Sequence, residues 1–482
     1  MTTDDRTDTA LFDLSTAQEA APAVESWLDF QQRYARTPGV QAAIRVGDEL
    51  VLSTALGFSD EPAGIPLRTD HLFRVASHSK MFTGTAVLQL VEQGKLRLDD
   101  PVQTYVPELA GSALAAATVR ELLGHQAGVI RDGIDKDYWQ LMDPFLGREE
   151  LIGLCRSHGR VFEPNEHFKY SNVGYSLLGL VIEAAGGSSY GDYLAVNIVD
   201  RLGLRNTGAE WDPRRADQYA GGHTGLLAGD DRREVIPHAD TRAMAPATGV
   251  YSTAEDLTAF GAAQFFGAEK LLTDASKRLM QRDESLVIAF GNEIERYGLG
   301  MEIVKIGERR LVGHSGGYPG HTTRTFIDPV DKLAVSVLTN CIAGPAVALA
   351  TGVMRLLELA AKPPVRTKVP DGVDVRRFCG RFANLTAVME IALLGGRLVA
   401  LYPAYPSPLD GYEELEVVDA NTLRVLPTSG FGSVGERVEY TWDADGRPAV
   451  VRYGGSSRWP IDVFRARRTE HIEQAVLGRP EV

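Results

Sequence analysis

The sequence predicts an α/β fold of the α+β kind: one antiparallel sheet built from both ends of a long segment, a large helical subdomain between them, and a C-terminal antiparallel β-barrel. Three observations predict it. Strand-like runs at residues 40–46, 49–56, 310–312, 322–327 and 333–338 bracket a stretch, about 100–300, whose pattern is mostly helical. The run AKPPVRTKVPDGVD at 361–374 carries the prolines and charges of a linker. Past it the apolar period changes to two, the mark of half-buried strands.

In chain order, a helix around 24–34 leads into the strand 40–46, a Gly47-Asp48 turn and the strand 49–56, which is a hairpin pattern. Residues 73–76 run into a helix expected to start at Ser77 and to stop at Gly94, a normal C-terminal glycine. On it Lys80, Gly84, Val87 and Val91 follow the face of Ser77, whereas Thr85, Gln89 and Glu92 point to a different side, so burial is expected along the Ser77 face. Loops rich in Gly, Pro and Asp follow, such as 211–238. The strands 310–312, 322–327 and 333–338 are joined by turns at 316–320 and 328–331, and a last helix covers about 345–361. The tail reads as a meander: 390–394, 397–402, 415–418, 422–426, 439–442 and 449–453, with tight turns at Gly395-Gly396 and at 443–446. The expected organisation is an acidic N-terminal tail 1–20, a main domain 21–361, a linker 362–374 and a barrel 375–468. The barrel is expected to stabilise the chain, to dimerise it or to cover a cleft, which is compatible with a homo-oligomer.

Charge and composition narrow the function classes. The 482 residues, 44% hydrophobic, carry a formal net charge of -14, which disfavours nucleic acid and anionic membranes as partners. No run of about 18 apolar residues suggests a membrane span. The start, MTTDDRTDTALFDLS, lacks the basic-then-apolar pattern of an export signal, so a cytoplasmic location is expected. Cys155, Cys341 and Cys379 are far apart and in no metal-ligand spacing, and read as free structural residues. With no Gly-rich phosphate loop and no His-Glu-x-x-His helix, neither a metal nor a cofactor is expected.

Three short fragments carry chemistry: Ser77-His78-Ser79-Lys80, Tyr170-Ser171-Asn172 and His314-Ser315-Gly316. The first places a hydroxyl and an amine one helical turn apart, on one face. A serine needs such a base to become nucleophilic. Ser77 to Lys80 is the one Ser-x-x-Lys of the chain, and Tyr170 to Asn172 the one Tyr-x-Asn. The third fragment has a rival in His223-Thr224-Gly225, but that one lies in a glycine-rich stretch with no strand pattern before it, so His314 is favoured. A helix N-terminus at Ser77 disfavours a cation and would keep Lys80 less basic than usual. His125, in a loop after an apolar turn, reads as a structural hydrogen-bonding residue.

These fragments, with FRVASHSK at 73–80, ELLGHQAG at 121–128, FEP at 162–164, FKYSN at 168–172 and GHSGG at 313–317, resemble the serine hydrolases of the class C β-lactamase and penicillin-binding-protein superfamily. That superfamily includes D-aminopeptidases, DD-carboxypeptidases and esterases, and the resemblance covers about 27–359. It implies a β-lactamase-like sheet flanked by helices, with the tail similar to lipocalin-like accessory barrels. It also implies roles. Ser77 attacks a carbonyl, and Lys80 and Tyr170 jointly handle the proton. Asn172, His314, Ser315, Gly316 and Gly317 form the substrate-binding and oxyanion set: the Asn172 amide bonds Lys80 and the substrate, and the N–H groups of Ser77 and Gly317 form an oxyanion hole. His314 stands where many β-lactamases carry lysine, a switchable donor that leans toward amide or peptide substrates. Arg324 is expected in a solvent-facing salt bridge, with pairing to a substrate carboxylate as the alternative. The pattern departs from the family at Asn165, where relatives usually carry glycine, and at Ala127, where they usually carry serine; asparagine tolerates positive φ, so the turn before Tyr170 survives.

The expectation is a serine hydrolase forming an acyl-enzyme on Ser77, D-aminopeptidase-like or DD-peptidase-like, on a small-molecule or short-peptide substrate. A carboxylesterase or β-lactamase using the same site is the alternative. A catalytically inactive penicillin-recognising or scaffold protein is the alternative of another class.

Overall fold

Helix α1, Leu14–Tyr34, opens the computed structural model, which describes residues 12–289, 292–362, 369–427 and 432–477. The chain divides into two compact units, residues 35–350 and residues 1–34 with 351–482. The expected tail 1–20 and linker 362–374 fall partly on 1–11 and 363–368, which lie outside the described residues. Among the described residues no helix is long and apolar enough to cross a membrane.

In the 35–350 unit nine strands form one antiparallel sheet. They are β1 (Gly39–Val46), β2 (Glu49–Asp60), β3 (Ile65–Pro66), β4 (Ser285–Ala289), β5 (Asn292–Tyr297), β6 (Glu302–Ile306), β7 (Arg309–Tyr318), β8 (His321–Asp328) and β9 (Leu333–Thr339), in the order β3-β2-β1-β9-β8-β7-β6-β5-β4. Pairing of β1 with β9, from Val40 against Thr339 to Val46 against Leu333, joins the two ends of the segment in the middle of the sheet. Every residue of β9 is buried, and all of β1 but Arg45, so both read as nearly continuous apolar runs rather than alternating ones. The stretch expected to be helical up to about 300 is corrected at 285–289 and 292–297, where β4 and β5 pair antiparallel at one end of the sheet. The sequence NEIERY of β5, next to the edge strand β4, is charged and mostly exposed, and so lacks the apolar alternation that marks a strand.

Helix α2 spans Ser79–Glu92 and is buried on all sides from Ser79 to Leu90, Thr85 and Gln89 included. The one-sided burial expected for it is therefore corrected. Thr85 Oγ1 donates to Met81 O and Gln89 Nε2 to Asn197 O, so these donors are satisfied inside the core. Ser77 lies not in α2 but in the single 3-10 turn Ala76–His78 before it. Ala76 there has φ +48, a strained left-handed conformation for a residue with a Cβ. Helix α3, Asn172–Gly186, packs beside α2.

In the other unit, eight antiparallel strands close a barrel: β10 (Gly380–Ala383), β11 (Val388–Leu394), β12 (Arg397–Leu401), β13 (Glu413–Asp419), β14 (Thr422–Val425), β15 (Arg437–Trp442), β16 (Pro448–Tyr453) and β17 (Ser456–Pro460). Phe382 pairs with Pro460 and Ala383 with Trp459, which closes the ring. Phe378, Phe382, Met389, Leu398, Leu423 and Tyr440 belong to its core, as suits the narrow interior of eight strands. Helix α4, Ala346–Ala361, contributes its residues from 351 to this unit. A Cβ on Gly352 would lie 2.1 Å from the Trp27 ring of α1, so only glycine lets the two helices approach that closely. Helix α1 starts ten residues before the pattern at 24–34 indicates. Its first turns carry Pro22 and few large apolar residues, and Asp13 caps it by accepting from Thr16 N at 2.7 Å.

Candidate active site

The Ala76–His78 turn holds Ser77 half-buried at the mouth of α2. One turn on, Lys80 is fully buried, and its Nζ reaches three oxygens: Ser77 Oγ at 3.1 Å, Asn172 Oδ1 at 2.7 Å and Ala247 O at 2.9 Å. Burial pulls the ammonium well below the ordinary lysine range, although the nearby Asp132 charge opposes it. Tyr170 donates its hydroxyl to Ser77 Oγ at 2.8 Å, and desolvation raises its phenol above the usual value. The two groups that the sequence assigns to the proton thus converge on one oxygen from positions 90 residues apart.

The Tyr170-Ser171-Asn172 fragment is held by the loop before it. Ser171 is the N-cap of α3, accepting from Gly174 N and donating to Ile130 O, while the N–H groups of Asn172 and Val173 donate to Arg131 O. Asn172 Nδ2 donates to Asp132 Oδ1 at 2.6 Å. His125 acts here as a structural residue: its Nδ1 accepts from Ser171 N at 3.1 Å, and its ring centroid lies 4.4 Å from that of Tyr170. Asn165 has φ +63, the conformation its place in the turn demands. At Gly128, with φ +64, a Cβ would lie 2.0 Å from Phe162 O, so the 121–128 and 162–164 fragments abut with no room for a side chain.

Strand β7 forms the opposite wall. Gly316 touches the start of the turn that carries Ser77, since a Cβ there would lie 2.3 Å from Val75 O and 2.3 Å from Thr323 Oγ1, whereas around Gly317 the space is open. His314 is buried: Nδ1 bonds Ser315 O at 2.6 Å and Nε2 meets Tyr297 OH at 3.0 Å. Burial lowers its pKa to about 4, with Glu302 opposing. It is therefore a neutral part of the floor rather than a switchable donor facing the cleft. The rival His223 bonds Asn340 O and Glu61 N on the short Gly222–His223 strand and does not line the cleft.

Glu302 of β6 underlies this wall and went unnoticed in the sequence. Its carboxylate accepts from Ser315 Oγ at 2.7 Å and from Ser315 N at 3.1 Å, and pairs with His314 and with Arg324. Burial alone would raise its pKa, but the charge that His314 takes on only below about pH 4, and the standing charge of Arg324, bring it down to about 2. The solvent-facing salt bridge expected of Arg324 is corrected: Arg324 is paired but buried, because β8 runs through the covered middle of the sheet. A lone acid in the apolar run GMEIV at 300–304 was the signal, since a charge in a buried strand needs a partner.

A cleft of about 690 Å³ opens over these groups, lined by Ser77, Tyr170, Asn172, Ser315, Gly317, Asp132 and Glu302 among others. Residues 187–191 and 313–317 both spell Gly-x-Ser-x-Gly, but neither is a nucleophile elbow. Ser189 caps a short helix and Ser315 lies inside β7. Among the described residues no group of three or more His, Cys, Asp or Glu side chains is arranged to hold a metal ion.

Comparisons with known proteins identify the family and the fold. Penicillin-binding protein 4* of Bacillus subtilis (strain 168) is 30% identical over 297 residues, 58% of this chain and 62% of that protein, so the match spans less than two thirds of its length. A D-aminopeptidase of Brucella anthropi is 26% identical over 406 residues, 83% of this chain and 72% of its own. The solved structure of SurE superposes with a TM-score of 0.60 at 26% identity, covering 92% of this chain and 99% of that one, both units included. The Beta-lactamase family profile matches residues 28–357, more than half of the sequence, and the chain belongs to that family, within the β-lactamase-like serine hydrolase superfamily.

Proposed function

We propose that the protein is a serine hydrolase that forms an acyl-enzyme on Ser77 and cleaves amide or peptide bonds, with D-amino-acid substrates the favoured class. One observation carries the reading: Ser77 Oγ stands between Lys80 Nζ at 3.1 Å and Tyr170 OH at 2.8 Å. A neutral amine has two hydrogens and one lone pair. Asn172 Oδ1 and Ala247 O take the hydrogens, so the lone pair is left for the Ser77 hydroxyl. Burial of Lys80 favours that neutral form.

In acylation Ser77 Oγ attacks the carbonyl carbon, its proton passes to Lys80 Nζ, and the carbonyl pair moves onto oxygen, which the N–H groups of Ser77 and Gly317 receive. Each such donor contributes about 3–4 kcal/mol to the transition state. Collapse expels the amine, which takes its proton from the Lys80–Tyr170 pair. Water then attacks the ester, gives a proton to the same pair and frees the acid, restoring Ser77. Similarity to a D-aminopeptidase over most of the chain supports the amide substrate.

An alkyl fluorophosphonate should label Ser77, located by peptide mass spectrometry, and leave Ser77→Ala unlabelled. Rates on D-alanine anilide, nitrophenyl esters and nitrocefin then rank amidase, esterase and lactamase action. An unlabelled wild type that hydrolyses none of the three would refute the enzyme and favour a penicillin-recognising or scaffold protein.

A further inference from the structure

Asp132 lines the cleft at 6% exposure, yet every oxygen it carries is engaged by the protein. Oδ1 accepts from Asn172 Nδ2 at 2.6 Å, Oδ2 from Arg131 Nε at 3.1 Å, and its main-chain oxygen from Tyr138 OH. A side chain so committed is poorly placed to hold substrate. It does decide how the neighbouring amide stands. A carboxylate accepts and never donates, so Asn172 must present Nδ2 to Asp132 and thereby turn Oδ1 toward Lys80. The opposite amide orientation would aim Nδ2 at Lys80 and occupy the lone pair that Ser77 needs.

We propose that Asp132 is a positioning residue for the acylation of Ser77, locking the Asn172 amide so that Lys80 keeps its lone pair for the serine, with the Asp132 charge facing the ammonium that forms. The inference rests on the reading of Ser77, Lys80 and Tyr170 given above. The electrostatic half has its own support, since the Asp132 charge favours the protonated form of Lys80 against the burial that opposes it. Other charged or titratable groups near Asp132 or lining the same cleft are Arg131, Lys136, Asp137 and Tyr138 of its own loop, Tyr170 ahead of α3, and Glu302 of β6 across the cleft. Arg131 is exposed and its guanidinium lies 5.0 Å from the Tyr170 ring centroid, so it screens only one side of the carboxylate. Nothing in the sequence marked Asp132, which lies 40 residues before the amide it orients.

The test is the rate of Ser77 labelling by an alkyl fluorophosphonate as a function of pH, which needs no knowledge of the substrate. Asp132→Asn keeps the shape and loses the charge; its acid limb is expected to move to lower pH by about one unit, because the ammonium loses an opposite charge. Asp132→Ala frees the amide and is expected to slow labelling about tenfold or more across the profile. The exchange Asp132→Asn with Asn172→Asp restores an ordered donor and acceptor in reversed order and sets a carboxylate directly on Lys80. Its acid limb is expected to move to higher pH, the opposite direction, which a merely structural defect would not produce. Circular dichroism and thermal unfolding establish that each variant is folded.

Labelling within twofold of wild type in both single variants, with the limb unmoved, overturns the inference and leaves the hydrolase reading intact. So does a limb that moves the same way in Asp132→Asn and in the exchanged pair. A wild type that fails to label removes the reading beneath it and the inference together.

Discussion

Replacing Glu302 by glutamine tests whether the buried charges under β7 hold that wall of the cleft in place. Glutamine keeps the shape and one accepting oxygen for Ser315, so about 1 kcal/mol of hydrogen bonding survives. What it removes is the counter-charge of Arg324, whose side chain is 4% exposed. Deleting one partner of a buried pair costs about 3–5 kcal/mol, most of it the penalty of the charge left behind, which puts Glu302→Gln at about 2–4 kcal/mol. Urea unfolding should report it as a midpoint lowered by about 1 M, for a slope near 3 kcal/mol/M. Removing both charges, as Glu302→Gln with Arg324→Gln, should cost less than the single change.

The pH dependence has a definite sign. The folded pKa of Glu302 is depressed, to about 2, below an unfolded value of about 4.3, so its stabilisation is present above the unfolded value and is lost as pH falls through the folded one. The gap between wild type and Glu302→Gln should therefore close between about pH 4 and pH 2. A single variant that costs under about 1 kcal/mol at pH 7, or as much as the double one, would refute the reasoning.

Two further outcomes follow from the same geometry. Gly316→Ala drives a Cβ to 2.3 Å from Val75 O, so it should cost about 1–3 kcal/mol in thermal or urea unfolding and slow Ser77 labelling; Gly317→Ala, with open space around it, should unfold within about 0.5 kcal/mol of wild type. Because burial holds Lys80 well below 10.5, labelling should rise with pH along a limb far below the ordinary lysine range, and a limb at or above 10.5 would show that another group is the base.

Much of the molecule was legible before folding, where the signal is short in range. The Ser77 to Lys80 spacing puts hydroxyl and amine on one face by helical geometry alone, and the 3-10 turn preserves that contact at 3.1 Å. The hairpin at 39–60 and six of the barrel strands announce themselves by period and turn residues. The rest was hidden for identifiable reasons. Gly380–Ala383 and Ser456–Pro460 carry one large apolar side chain each, Phe382 and Trp459, and so show no period; their places are set by closure with each other. The Leu14–Tyr34 helix begins in residues with few large apolar side chains, so its first turns carry no apolar stripe.

The sequence by itself determined the chemistry available: which hydroxyl, amine, phenol and amide the chain carries, at spacings that local backbone geometry turns into a hydroxyl within bonding reach of an amine. Only the tertiary structure decided how those groups are biased. It brings Ala247 O and Asn172 Oδ1 to Lys80, Asp132 to Asn172, and Glu302 between Arg324 and His314, while turning His314 inward. Charge state depends on desolvation and on neighbours supplied by distant strands and loops, and no local pattern in a chain encodes which neighbours those will be.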